Sequence, residues 1–167
     1  MAYLLDTGVF VQAKNFHYSF GICPGFWQWL DQAHEKGFVL SISDCLKELA
    51  EKEDELSHWA KVRKKLFRKS EDEKAFESAK LLSGWVQSHF SQEAQNKFFA
   101  DADFMLVAYA HAHNLTAVSH ETFQRDCARV KIPNACAALG VDCITPFQML
   151  AKSGARFVLD SGPVSEQ

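Results

Sequence analysis

Residues 2–8 read Ala-Tyr-Leu-Leu-Asp-Thr-Gly, a short apolar run halted by an acid and two turn-forming residues. Such a run reads as a buried strand whose carboxyl end is Asp6. The pattern recurs along the chain. Residues 38–42 are apolar and lead into Ser43, a suitable N-cap for a helix reaching about Glu53. Residues 115–119 and 141–144 are two further apolar runs. Between and after these strands lie helical segments with recognisable ends. Pro24 suits a first helical position and Gly37 a helix end, while Thr145-Pro146-Phe147-Gln148 combines N-cap, proline and capping-box glutamine. Strands alternating with helices predict an α/β fold of three layers, α/β/α, around a parallel sheet of four to five strands.

The rest of the chain fits one domain. Its 167 residues are enough for a substantial core, and the expected domain spans 1–160 with a loose tail over 161–167. Residues 56–100 are rich in Lys, Glu, Gln and Ala and hold no proline, so they read as helical throughout, an insertion or cap on one edge. No apolar run reaches the length of a membrane span, and Met1 leads straight into a strand, so the expectation is a cytoplasmic protein without membrane contact. Fourteen Phe and four Trp suggest a dense core or an adhesive surface, a homodimer contact included. Five cysteines form an odd set without C-x-x-C spacing, which disfavours structural zinc and fits reduced thiols. The formal net charge of −3 hides a basic stretch at 61–69, Lys-Val-Arg-Lys-Lys-Leu-Phe-Arg-Lys, and an acidic one at 44–55.

Acids fall where a parallel sheet would gather them. Ligands of doubly wound sheets bind beyond the carboxyl ends of the strands. Asp6 ends the first strand; Glu48 lies about 7 Å into the helix that starts on the same rim, at 1.5 Å rise per residue. The helix before the third strand must run back along the sheet, which brings its start, with Asp101 and Asp103, to that rim. Glu121 follows the third strand. Two carboxylates about 5 Å apart repel by roughly 3 kcal/mol at an effective dielectric of 20, so four together shift their pKa values upward or take up a cation. Oxygen ligands alone favour Mg²⁺ or Mn²⁺, and such a site suits phosphodiester hydrolysis. Each acid also has a plainer reading. Asp6 can serve as a turn or N-cap residue, Asp101 and Asp103 as first-turn acids that suit the helix dipole, and Glu48 and Glu121 as solvated side chains.

Several motifs carry a family likeness. Tyr3-Leu-Leu-Asp-Thr-Gly-Val-Phe10 resembles the opening of PIN domains, Asp103-Phe-Met-Leu-Val-Ala-Tyr-Ala110 their third-acid helix, and Ala117-Val-Ser-His-Glu121 the strand leading to the fourth acid. Cys23-Pro-Gly-Phe-Trp-Gln-Trp-Leu30, Val130-Lys-Ile-Pro-Asn-Ala-Cys-Ala-Ala-Leu-Gly140 and Leu150-Ala-Lys-Ser-Gly-Ala-Arg-Phe-Val-Leu159 are similar to one PIN-like subgroup, bacterial proteins of the DUF4411 type. The resemblance implies an Mg²⁺- or Mn²⁺-dependent endoribonuclease, often the toxin of a toxin–antitoxin pair, with RNA as substrate and an antitoxin protein as partner. It makes Asp6, Glu48, Asp103 and Glu121 the acidic ligands. Position 8 departs from the family: Gly8 stands where Asn or Ser is usual, removing a polar side chain that helps orient the site.

Other features compete for attention. His120, beside Glu121, reads as a substrate contact or as a structural side chain; His111 and His113 suit a helix end. The basic run 61–69 reads equally as a phosphate-holding tract or as a solvated helix face. Phe26, Trp27 and Trp29 read as core or dimer contact rather than a base-stacking platform. Two other functions fit parts of the sequence. A catalytically degenerate PIN-like module acting through protein contacts would explain Gly8 and the aromatic content. A phosphatase of the haloacid-dehalogenase type also carries an acid after its first strand, but its chemistry wants D-x-D, and Gly8 breaks that pattern.

Overall fold

The computed structural model describes residues 1–159; the expected tail at 161–167 and the last residue of the expected domain lie outside the described residues. Five strands, β1 (Tyr3–Leu5), β2 (Val39–Ile42), β3 (Phe67–Arg68), β4 (Thr116–Val118) and β5 (Cys143–Ile144), form one sheet in the order β3-β2-β1-β4-β5. Every pairing is parallel, with Leu4 opposite Leu40 on one side and Ala117 on the other. Successive strand residues point to opposite faces. Leu4 and Leu5 are both fully buried, so helices cover β1 on both sides and the fold is a three-layer α/β/α arrangement.

Crossover connections between the parallel strands distribute those helices. The chain moves outward from β1 through α1 (Thr7–Gln12), α2 (Pro24–Glu35), α3 (Ser43–Ala50) and α4 (Glu55–Val62) to the β3 edge. It then returns through α5 (Glu73–His89), α6 (Gln92–Ala100) and α7 (Ala102–Ala112) to β4 on the other side of β1, and ends with α8 (Ile132–Leu139), β5 and α9 (Pro146–Lys152). The direction of winding reverses between β1 and β4. That switch point is where a crevice opens at the carboxyl rim. α5, α7 and α8 pack on one another, α3 packs on both α1 and α4, and α3 meets α7 beside the rim.

Three local expectations change. The stretch 56–100 is not helical throughout: Phe67 and Arg68 pair with Ser41 and Ile42 as the fifth strand, because Leu66 and Phe67 bury against β2 more profitably than a basic helix could. Residues 7–12 form a helix rather than a turn, prolonged over Ala13–His17 by a π-helical turn. Ser43 is the first residue of α3 rather than its cap, and its hydroxyl turns to Asp44. The capping box of α9 is present as expected, with Thr145 accepting from the Gln148 amide and Gln148 from that of Thr145. Gly140 ends α8 at φ +70°, a left-handed conformation that glycine adopts without penalty. Among the described residues no helix is long and apolar enough to cross a membrane. All five cysteines are free thiols.

Candidate active site

Asp6, Glu48, Asp103 and Glu121 line one cleft of about 600 Å³, and Asp101 joins them. The cleft opens at the rim between β1 and β4, the position the topology selects. Asp6 is held from both of these strands. Its amide donates to the Val118 carbonyl at 3.1 Å, and its Oδ2 accepts from Ser119 Oγ at 3.1 Å. Only 8% of Asp6 is exposed. Burial pushes its carboxyl up to about 6, with the charges of Glu121 and Glu48 adding to the shift against the opposing bonds from Gly8 and Ser119.

Asp103 sits in the first turn of α7. Burial and the neighbouring carboxylates of Asp6, Glu121, Glu48 and Asp101 push it to about 8. No donor among the described residues offsets them. Asp101, more open to solvent, is also raised, by burial and then by Glu48.

The two glutamates are held differently. Glu48 Oε2 accepts from Thr7 Oγ1 at 2.5 Å and Oε1 from the Ala102 amide at 2.9 Å. It therefore caps α7 from a different helix, in place of Asp101, whose side chain makes no capping bond. Glu121 Oε2 accepts from the Ile132 amide at 2.8 Å, capping α8, and Oε1 from Arg129 Nη2 at 2.8 Å. Both groups meet the positive end of a helix dipole. Ser119 links the set, donating to Asp6 while its oxygen accepts from the Glu121 amide at 3.1 Å.

Gly8 also has a steric role here. A Cβ at this position would stand 3.0 Å from Asp6 Oδ2, closer than an ordinary contact. Helix propensity favours alanine by up to about 1 kcal/mol in a helix interior, but by less in a first turn. Crowding a buried carboxylate costs about 1–3 kcal/mol. Gly8→Ala is therefore expected to lose about 1 kcal/mol and to melt about 2–4 °C lower. A thermal melt at neutral pH checks this, and an unchanged or higher midpoint would show that Asp6 yields freely.

A family model described as "Domain of unknown function (DUF4411)" matches residues 3–157. The chain belongs to the DUF4411 family. No curated protein matches it, and no solved structure does either. In this DUF4411 chain the matched segment holds all of the rim residues, and the structure adds several that the sequence reading passed over. Thr7 and Ser119 stand inside the quoted motifs and anchor Glu48 and Asp6. Arg129 and Lys131 bring positive charge to the cleft from the loop before α8, where no sequence periodicity marks them. The basic run 61–69 lines a separate cleft, together with Asp31 and His34, that shares no residue with the acidic one. Phe26 and Trp27 are buried in the core, as the sequence suggests.

Among the described residues no three His, Cys, Asp or Glu side chains form a ready metal-holding group. Glu48 and Glu121 bond to helix ends and Asp101 is more open to solvent, which leaves Asp6 and Asp103 as the more deeply buried carboxylates of the cleft. Two hard oxygen donors suit Mg²⁺, which keeps several waters and commonly takes one or two carboxylates plus substrate phosphate. The raised carboxyls, unoffset at Asp103, also fit a cation in character.

Proposed function

We propose that the protein is a metal-dependent endoribonuclease that hydrolyses RNA phosphodiester bonds and acts as the toxin of a toxin–antitoxin pair. The reading rests on one observation: carboxylates from four chain segments share a cleft at the switch point, with Asp103 pushed to about 8 by burial and then by its neighbours. The PIN-like resemblance of the motifs around Asp6, Asp103 and Glu121 directs it to RNA. Asp6 and Asp103 would hold Mg²⁺ or Mn²⁺. Bound there, the cation would activate water and neutralise charge on the leaving oxygen. Glu48 fixes the first turn of α7, and thereby Asp103, while Glu121 fixes the loop that carries Arg129. Arg129 and Lys131 bring positive charge against the phosphate, and Ser119 keeps Asp6 in one orientation.

Incubation with total RNA tests the proposal. Discrete cut ends are expected with Mn²⁺ and none with EDTA, and their absence in both would end it. A second reading has its own support. Both oxygens of Glu48 and of Glu121 are occupied by internal bonds, as expected of a degenerate PIN-like module that acts through protein contacts. Calorimetric titration with Mn²⁺ separates the two, since only the enzyme should bind it at the cleft.

A further inference from the structure

The basic cleft has a volume of about 1280 Å³. One wall is the end of α2, with Asp31, His34 and Glu35, and the turn at Gly37. The other is the chain from Lys61, near the end of α4, through a 3-10 turn at Lys64–Leu66 into β3. Lys61, Arg63, Lys64, Lys65, Arg68 and Lys69 face only two carboxylates there. Arg63 takes up one of these, its Nε donating to Asp31 Oδ1 at 2.6 Å and its Nη2 to Oδ2 at 2.8 Å. Its guanidinium also lies 4.7 Å from the centre of the Trp59 ring. These contacts tie the end of α4 to α2 and fix the two walls together. The other five cations make no ion pair among the described residues, in a chain whose formal net charge is −3.

Lysines on an edge strand often serve to discourage pairing with other chains, and so does a very short strand. β3 has only two residues, so five unpaired cations exceed that need. It heads the sheet order, which leaves one side of its backbone without a strand partner among the described residues. Every residue from Lys64 to Lys69 lines the cleft, so the cavity follows the whole of β3. An extended polypeptide can pair with such an edge and set alternate side chains along it. The charge selects which polypeptide. A second copy of this chain would bring the same cations to the same edge and be repelled. Small-molecule sites occupy roughly 300–1,000 Å³, less than this cleft offers. Unpaired nucleic acid stacks its bases on exposed rings, and here Phe67 is buried while His34 is only half-buried, with Nδ1 held at 3.0 Å from the Val39 carbonyl.

We infer that the β3 edge and its cations form a docking groove for an extended acidic segment of a protein partner. Main-chain pairing along β3 supplies the register, and carboxylates at alternate positions meet Lys64, Lys65 and Arg68. The groove shares no residue with the acidic cleft, so this inference stands apart from the hydrolase reading, and either can fail alone.

The test uses the full chain at low salt in EDTA, which also keeps metal-dependent hydrolysis out of the assay. The probe is a fluorescein-labelled twelve-residue peptide of alternating Glu and Thr, read by anisotropy. The protein should bind it, and binding should weaken as salt is added. Lys64→Ser, Lys65→Ser and Arg68→Ser together should weaken binding by about tenfold, the combined effect of three exposed charge pairs. Lys74→Ser, Lys80→Ser and Lys97→Ser remove equal charge elsewhere and should leave binding within about twofold. All six side chains are exposed, so matching melting curves are expected and check that the fold is kept. N-methylation of the Thr amides keeps every charge but removes main-chain donors, and it should weaken binding by about tenfold. No binding of the peptide, indifference to the β3 triple substitution, or equal affinity for the N-methylated peptide overturns the inference. A twelve-nucleotide RNA bound more tightly through the same three residues would give the groove to nucleic acid and overturn it as well.

Discussion

Asp103→Asn should slow RNA cleavage by about a thousandfold or more and, in the metal-free protein at pH 8, raise the melting temperature. The first effect follows from losing one of the two carboxylates that would hold the cation, whose charge stabilisation is worth several kcal/mol. The second follows from the same carboxylate being an electrostatic burden. Its ordinary value is 3.8 and its value in the fold is about 8. Between those limits the folded protein binds the proton more tightly than the unfolded chain, so stability falls as pH rises from about 4 to 8 and is level above. The full span is worth at most about 5–6 kcal/mol at 1.36 kcal/mol per pH unit. Solvent on the cleft side, and the sharing of charge with Asp6, reduce this to about 2–3 kcal/mol. For a chain of this length that is about 4–12 °C. The advantage of asparagine should shrink as the pH falls and vanish near pH 4. Millimolar Mn²⁺ should raise the parent's midpoint and leave the variant's unmoved. Parallel melts at pH 5 and pH 8, with and without Mn²⁺, check all of this. An Asp103→Asn protein that cleaves like the parent and melts no higher at pH 8 would remove Asp103 from the site.

Such a trade between stability and function is visible only once the acids are placed together, and their placing was largely legible in the sequence. Asp6 and Glu121 each follow an apolar run, so the strand rule carries them to the rim. Asp103 follows by the direction of a crossover helix. The fifth strand was illegible for a physical reason: two residues between Lys65 and Lys69 show no alternation, and only pairing with Ser41 and Ile42 makes them a strand. α1 was hidden because Gly8, Val9 and Val11 have poor helix propensity, and burial of Val9 and Phe10 outweighs it. The work of the glutamates was beyond reach altogether. Glu48 and Glu121 bond to the amides of Ala102 and Ile132, groups that every residue but proline carries, so no residue type announces them. Gly8 reads in sequence as the loss of an orienting side chain. In the fold it is also a close approach to Asp6.

Glu48 gives the other large expected effect, and it divides position from charge. Glu48→Ala removes the acceptor of both Thr7 Oγ1 and the Ala102 amide, leaving the first turn of α7 uncapped. Hydrogen bonds to a charged group are worth about 1.5–3 kcal/mol each, and partial exposure lowers the sum to about 3 kcal/mol. The midpoint should fall by about 6–12 °C, and cleavage should fall with it as Asp103 loses its support. Glu48→Gln should behave otherwise. Its amide oxygen can still accept from Ala102, and its NH₂ can donate to Thr7 Oγ1, which accepts as readily as it donates. Stability should stay within about 1 kcal/mol and activity within about tenfold of the parent. Glu48→Gln and Asp103→Asn each remove one negative charge from the same cleft. If charge alone made the site, both would cost the same activity. If Glu48 holds the cation directly, the glutamine variant would lose cleavage while keeping its melting temperature. A brace keeps both in glutamine and loses both in alanine, so the pair of variants read by melting and cleavage together assigns Glu48 its part.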